Sequence, residues 1–130
     1  PILNSNSTYV KADEAMRAGE FERASRLFKS SIKHGTHGET LLAAYNNKCA
    51  VDLARGALES AEKACSGAIG KNRLYWRAYV NRGHVRAAMG KHELAMQDLH
   101  KAVKLKPNSK LAKRVLASIQ QTRTLLAEAN

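Results

Sequence analysis

The chain has 130 residues, with 5% aromatics, two prolines, and apolar content carried mostly by alanine and leucine. That is enough length for one domain with a real core, and the balance suits helices packed through small residues better than a sheet rich in Val, Ile, Tyr and Thr. The net charge of +11 is uneven, since residues 1–65 carry 9 Lys/Arg against 8 Asp/Glu and residues 66–130 carry 13 against 3, which points to an acidic partner for the C-terminal half.

In chain order, residues 5–18 and 21–33 read as two helices meeting at Gly19, where a residue free to adopt positive φ ends a helix cleanly. Two glycines within His34-Gly35-Thr36-His37-Gly38 mark a loop. Helices over 40–55 and 58–69 follow and meet at Gly56. A third pair, 76–89 and 92–105, meets at Gly90. These pairs repeat. Gly56 to Gly90, Ala61 to Ala95 and Ala68 to Ala102 are each 34 residues, while Gly19 to Gly56 and Ala24 to Ala61 are 37. The three extra residues are expected in the 34–38 loop. A seventh helix over 109–128 begins after Pro107-Asn108, with Leu111, Val115, Ile119, Thr122 and Leu126 on one apolar stripe. No apolar run approaches the roughly 18–20 residues that a bilayer span requires. The chain opens on Pro1 without a methionine, so a processed or trimmed piece is expected, any targeting segment having been removed.

Equivalent positions form a consistent series across the three pairs. Thr8, Tyr45 and Tyr79 share one position, and Ala12, Cys49 and Gly83 a second. Gly19, Gly56 and Gly90 are followed by Ala24, Ala61 and Ala95, then Phe28, Cys65 and Leu99, then Ser31, Ala68 and Ala102, with Pro107 closing the third unit. Over residues 5–107 this series resembles the tetratricopeptide repeat (TPR) family. The resemblance implies an all-α, TPR-like right-handed superhelical solenoid of antiparallel helix pairs, about seven helices in all. It also implies a single domain over 1–130, with repeats at about 5–38, 42–75 and 76–109 and a capping helix at about 109–128. One pair cannot bury its apolar face alone, so neighbouring pairs must stack. Two positions depart from the family pattern: Lys11, Lys48 and Arg82 stand where it often has Leu, and Ala15, Asp52 and Arg86 where Tyr is frequent. Asp52 and Arg86 are equivalent on adjacent repeats, so a surface ion pair between them is expected, contributing about 0–1 kcal/mol.

Folding the second pair about Gly56 brings Cys49 opposite Cys65 at close-contact sites. The two read either as small buried apolar residues or as a disulfide, whose loop of about 15 residues would add about 3 kcal/mol. A disulfide would place the protein outside a reducing cytosol. The stretch from Tyr45 to Cys49, taken with Glu62 to Cys65, resembles TPR proteins that Gram-negative bacteria export, which implies a periplasmic or secreted location, the cytoplasm being the alternative.

In a TPR stack the first helix of each pair lines the concave face, and the resemblance places Asn6, Tyr9, Asp13, Asn46, Asn47, Arg77, Asn81 and His84 there. Asparagine disfavours helix interiors by roughly 0.5 kcal/mol relative to alanine, so Asn46, Asn47 and Asn81 on one face need a reason. An amide can donate to and accept from a peptide backbone at once, and Arg77 and His84 could engage a carboxylate. The carboxylate clamp known in this family is incomplete here. Asn47 and Arg77 match it, but Tyr9, Asp13 and Asn81 replace its other members, and Asp13 would repel a carboxylate.

No phosphate-binding loop, dinucleotide fingerprint, nucleophile elbow or zincin motif occurs. His34 and His37 have only Glu39 beside them as a further ligand, so neither metal nor cofactor is expected, and no enzyme activity. The reading that results is a protein-interaction module gripping an extended or helical segment of a protein or peptide partner. The alternative is nucleic-acid or polyanion binding through the basic C-terminal half, by Arg73, Arg77, Arg82, Arg86, Lys101, Lys104, Lys106, Lys110, Lys113 and Arg114. A self-assembly role would use the convex face or the capping helix.

Overall fold

A computed structural model describes residues 5–129, with side chains described from residue 7. Among these residues there are seven α-helices and no strand: α1 (Ser5–Arg17), α2 (Phe21–Lys33), α3 (Gly38–Ala54), α4 (Leu58–Lys71), α5 (Trp76–Ala88), α6 (His92–Leu105) and α7 (Lys110–Glu128). None is long and apolar enough to cross a membrane.

The three pairs, α1–α2, α3–α4 and α5–α6, turn in the same way. Gly19, Gly56 and Gly90 have φ of 78°, 77° and 80°. At each, the glycine N–H reaches back three residues and the next N–H reaches back five, as in Gly56 to Leu53 and Ala57 to Asp52. This Schellman pattern satisfies the last carbonyls of the first helix and reverses the chain at once. Small residues then allow close approach: Ala12, Ala24, Cys49, Ala61 and Ala95 are wholly buried, with Phe28 and Leu99 filling the space beside them. Gly83 holds the same position as Cys49, and a Cβ there would lie 2.8 Å from Leu99 Cγ. Gly83→Ala is therefore expected to cost about 1–3 kcal/mol by overpacking, read as a lowered urea midpoint with an unchanged slope.

Three details differ from expectation. The extra residues between the first and second pairs lengthen a helix rather than a loop, because α3 starts at Gly38 and has 17 residues where α1 and α5 have 13. Glu39 favours the helix N-terminus there, and Leu41 and Leu42 are partly buried. In α7 the buried face is Ala112, Val115 and Ile119, while Leu111 and Leu126 are 43% and 50% exposed. Finally, Asp52 and Arg86 do not pair. Asp52 is wholly buried among Ser25, Lys48, Arg55 and Ser60, and Arg86 bonds Glu62 and Asp98. Nearer charges decide this: Lys48 and Arg55 lie within 2.9 Å of Asp52, and Glu62 and Asp98 within 3.0 Å of Arg86.

Candidate partner-binding groove

Successive first helices approach one another closely, α1 against α3, α3 against α5 and α5 against α7, whereas no Cα atoms of successive second helices come within 8 Å among the described residues. A stack tight along one row of helices and open along the other must curve towards the tight row. The first helices therefore form the inner face.

Side chains on that face are tied across the repeats. Asn47 Nδ2 of α3 donates to the Tyr9 hydroxyl of α1 at 3.3 Å, and Asn81 Nδ2 of α5 donates to Asn46 Oδ1 of α3 at 2.8 Å. Each amide thus spends one donor on a neighbouring repeat, which answers in part why three asparagines sit within helices. Asn46 is buried, while Asn47 and Asn81 keep partial access and carbonyl oxygens with no partner among the described residues. Asn46 accordingly orients Asn81 rather than facing a guest. The side chain of Asn6 lies outside the described residues.

Tyr9 rests on Phe28, ring centroids 5.8 Å apart at 59°. Burial raises its pKa, Asp13 and Tyr75 add to this, and Asn47 and Arg17 oppose it. Tyr75, in the turn before α5, was not singled out by sequence; its only signal was an aromatic residue preceding the helix that carries Arg77 and Asn81. Asp13 is paired with Arg17 at 2.8 Å. Arg77 is exposed and lies 4.6 Å over the Trp76 ring, which holds the guanidinium in place. His84 keeps solvent access, yet desolvation lowers its pKa below the usual 6.5, so the ring is neutral at pH 7. Of the sequence-selected positions, Tyr9 and Asn47, and Asn46 and Asn81, are joined across successive first helices, and Arg77 and His84 are the most accessible. Cys49 and Cys65 lie away from it, wholly buried between α3 and α4 and placed as a disulfide pair, Cα atoms 5.3 Å apart.

Residues 76–109 match the sequence profile of the tetratricopeptide repeat family. The first tetratricopeptide domain of Spaghetti (RPAP3), solved bound to an HSP90 peptide, is 23% identical, with a TM-score of 0.84 over 93% of this chain and 94% of that one. The fold is the tetratricopeptide-repeat fold. The second such domain of human RPAP3, in complex with an HSP70 peptide, is 27% identical with a TM-score of 0.82, over 89% of this chain and 94% of that one. The Arabidopsis OM64 domain is 23% identical with a TM-score of 0.83, over 91% and 95% of the two chains. No curated protein matches the chain.

Proposed function

We propose that this TPR stack is a non-catalytic protein-interaction module whose concave face grips an extended or helical segment of a partner. The observation that carries the reading is the row formed by Asn47, Asn81, Arg77 and His84. Backbone-binding amides are pre-oriented by neighbouring repeats, and a stacked guanidinium and a titratable ring stand beside them. Amides held in place lose little side-chain entropy on binding. The structural neighbours solved with HSP90 and HSP70 peptides support peptide binding as the use of this fold. They do not carry over the chaperone tail as ligand, because Tyr9 and Asp13 stand at the first-repeat sites where the clamp needs a lysine and an asparagine, and Arg17 already holds Asp13. An internal acidic segment fits the Arg77 end better than a terminal carboxylate does.

The test is to recover a partner with the intact protein and compare it with Asn47→Ala, Asn81→Ala and Arg77→Glu. About tenfold weaker binding in each, with the circular-dichroism melt retained, is expected, since each loses one oriented contact. Unchanged affinity in both asparagine variants would refute the groove.

A second reading, polyanion binding, draws on Lys101, Lys104, Lys106, Lys110, Lys113 and Arg114, all exposed around the α6–α7 turn. Arg82 and Arg86 leave that set, because Asp98 and Glu62 hold them. Retention of DNA or RNA that falls steeply between about 50 and 200 mM salt is the expected signature, and no retention at the lower concentration removes this reading. The Cys49–Cys65 pairing supports a periplasmic or secreted setting; the cytoplasm is the alternative if both are thiols.

A further inference from the structure

Because α2 and α4 keep their Cα atoms more than 8 Å apart, a cleft of about 240 Å³ opens on the outer side between them, with α3 as its floor. Each of the three helices supplies one lysine, Lys29, Lys48 and Lys63, and no carboxylate lines the cleft. Lys48 is held in position: its Nζ donates to Asp52 Oδ2 at 2.6 Å and to Ser60 Oγ at 2.9 Å. An ammonium has three N–H donors, so one is left over. The charge of Asp52 is also shared with Arg55. Lys29 and Lys63 have no ion-pair partner among the described residues. The wall therefore carries excess positive charge.

The next junction along the stack shows what an anion does at the equivalent place. Carried forward by the repeat offsets, Lys48 becomes Arg82, Ala64 becomes Asp98, Lys29 becomes Ser66 and Lys63 becomes Gln97. There the buried Asp98 takes a two-pronged grip from Arg82, Nε at 2.9 Å and Nη2 at 2.8 Å, while Arg82 Nη1 reaches Ser66 at 3.2 Å. The chain's own carboxylate closes the second junction. Arg86 also reaches Asp98, at 3.0 Å, where the first junction has the buried Asp52; the first junction has alanine in the place of Asp98, an open cleft and two additional lysines.

We propose that the α2–α4 cleft is an anion site that takes the carboxylate of an acidic side chain from a partner, in the place that Asp98 fills one repeat further on. Charge-assisted hydrogen bonds from ammonium groups on three helices fit such a guest. The site lies on the opposite side from the concave groove and stands or falls independently of it.

The test is amide shift mapping with a capped Gly-Asp-Gly peptide, its Gly-Asn-Gly counterpart and inorganic phosphate. The aspartate peptide is expected to shift the amides of Lys29, Lys48, Ser60, Lys63 and Ala64, and the asparagine peptide to leave them unmoved. Lys29→Gln/Lys63→Gln, both exposed positions, should weaken binding at least about fivefold with the melting temperature unchanged. Ala64→Asp should abolish binding by supplying the carboxylate from within. No shifts at these residues, equal response to both peptides, or undiminished binding in the double lysine variant would each overturn the proposal. Phosphate binding more tightly than the aspartate peptide would overturn the side-chain assignment in favour of a free oxyanion.

Discussion

Replacing Asp52 with alanine is expected to cost about 3–5 kcal/mol of stability, the range for removing one partner of a buried ion pair. Its carboxylate is wholly buried and accepts from Ser25 of α2 at 2.6 Å, Lys48 at 2.6 Å and Arg55 at 2.9 Å of its own segment, and Ser60 of α4 at 2.6 Å. It therefore joins both repeats of the first junction, and alanine would leave Lys48, 13% exposed, without its counter-charge. Burial by itself raises the pKa of Asp52, but the hydrogen bonds from Lys48, Ser25, Ser60 and Arg55 outweigh it and hold the value below the ordinary 3.8. A folded-state value below the unfolded one gives a contribution present in full above the ordinary value and lost as pH falls through the lower one. Urea unfolding at neutral pH should show the loss, and between about pH 4 and pH 2 the variant should lose less stability than the parent. A difference under about 1 kcal/mol, the size of an exposed pair, would show that the four donors do no more than solvate the group.

Opening the Cys49–Cys65 link is expected to cost about 3 kcal/mol, since the crosslink closes a loop of about 15 residues in the unfolded chain. The two lie 16 apart in sequence, one on α3 and one on α4, both wholly buried. Cys49→Ala/Cys65→Ala leaves alanine at sites where the other repeats carry Ala12 and Phe28 or Gly83 and Leu99, so the double variant should fold and melt at a lower temperature. Thiol titration of the protein as isolated from its native compartment should find no reactive thiol until reductant is added under denaturing conditions. Two thiols without reductant would overturn both the oxidised pair and the compartment proposed from it.

The groove was legible in part. Sequence spacing put Tyr9, Asn47, Asn81, Arg77 and His84 on first helices, because helical period and repeat offset are local arithmetic. It could not show that Asn47 would reach Tyr9, that Asn46 would be buried beneath Asn81, or that Tyr75 would approach Tyr9. Those contacts join residues 34 or more positions apart and depend on how far one pair rotates and slides against the next. The open α2–α4 cleft was invisible for the same reason. Ala64 and Asp98 are equivalent by repeat offset, but only the packed stack makes one an open place and the other a filled one.

Helices, turns and the pairing of each hairpin follow from interactions within a few residues: a glycine free to take positive φ at positions 19, 56 and 90, and alanines where two helices cross. Those could be read directly from the order of amino acids. Which charges would meet could not, and Asp52 is the instance, expected as half of a weak surface pair and found as a buried centre between two repeats. Backbone geometry is decided over one turn of chain, whereas an electrostatic partner is decided by a distance of a few ångströms in the packed stack, where 1/r competition and desolvation select the nearest donors whatever their sequence separation.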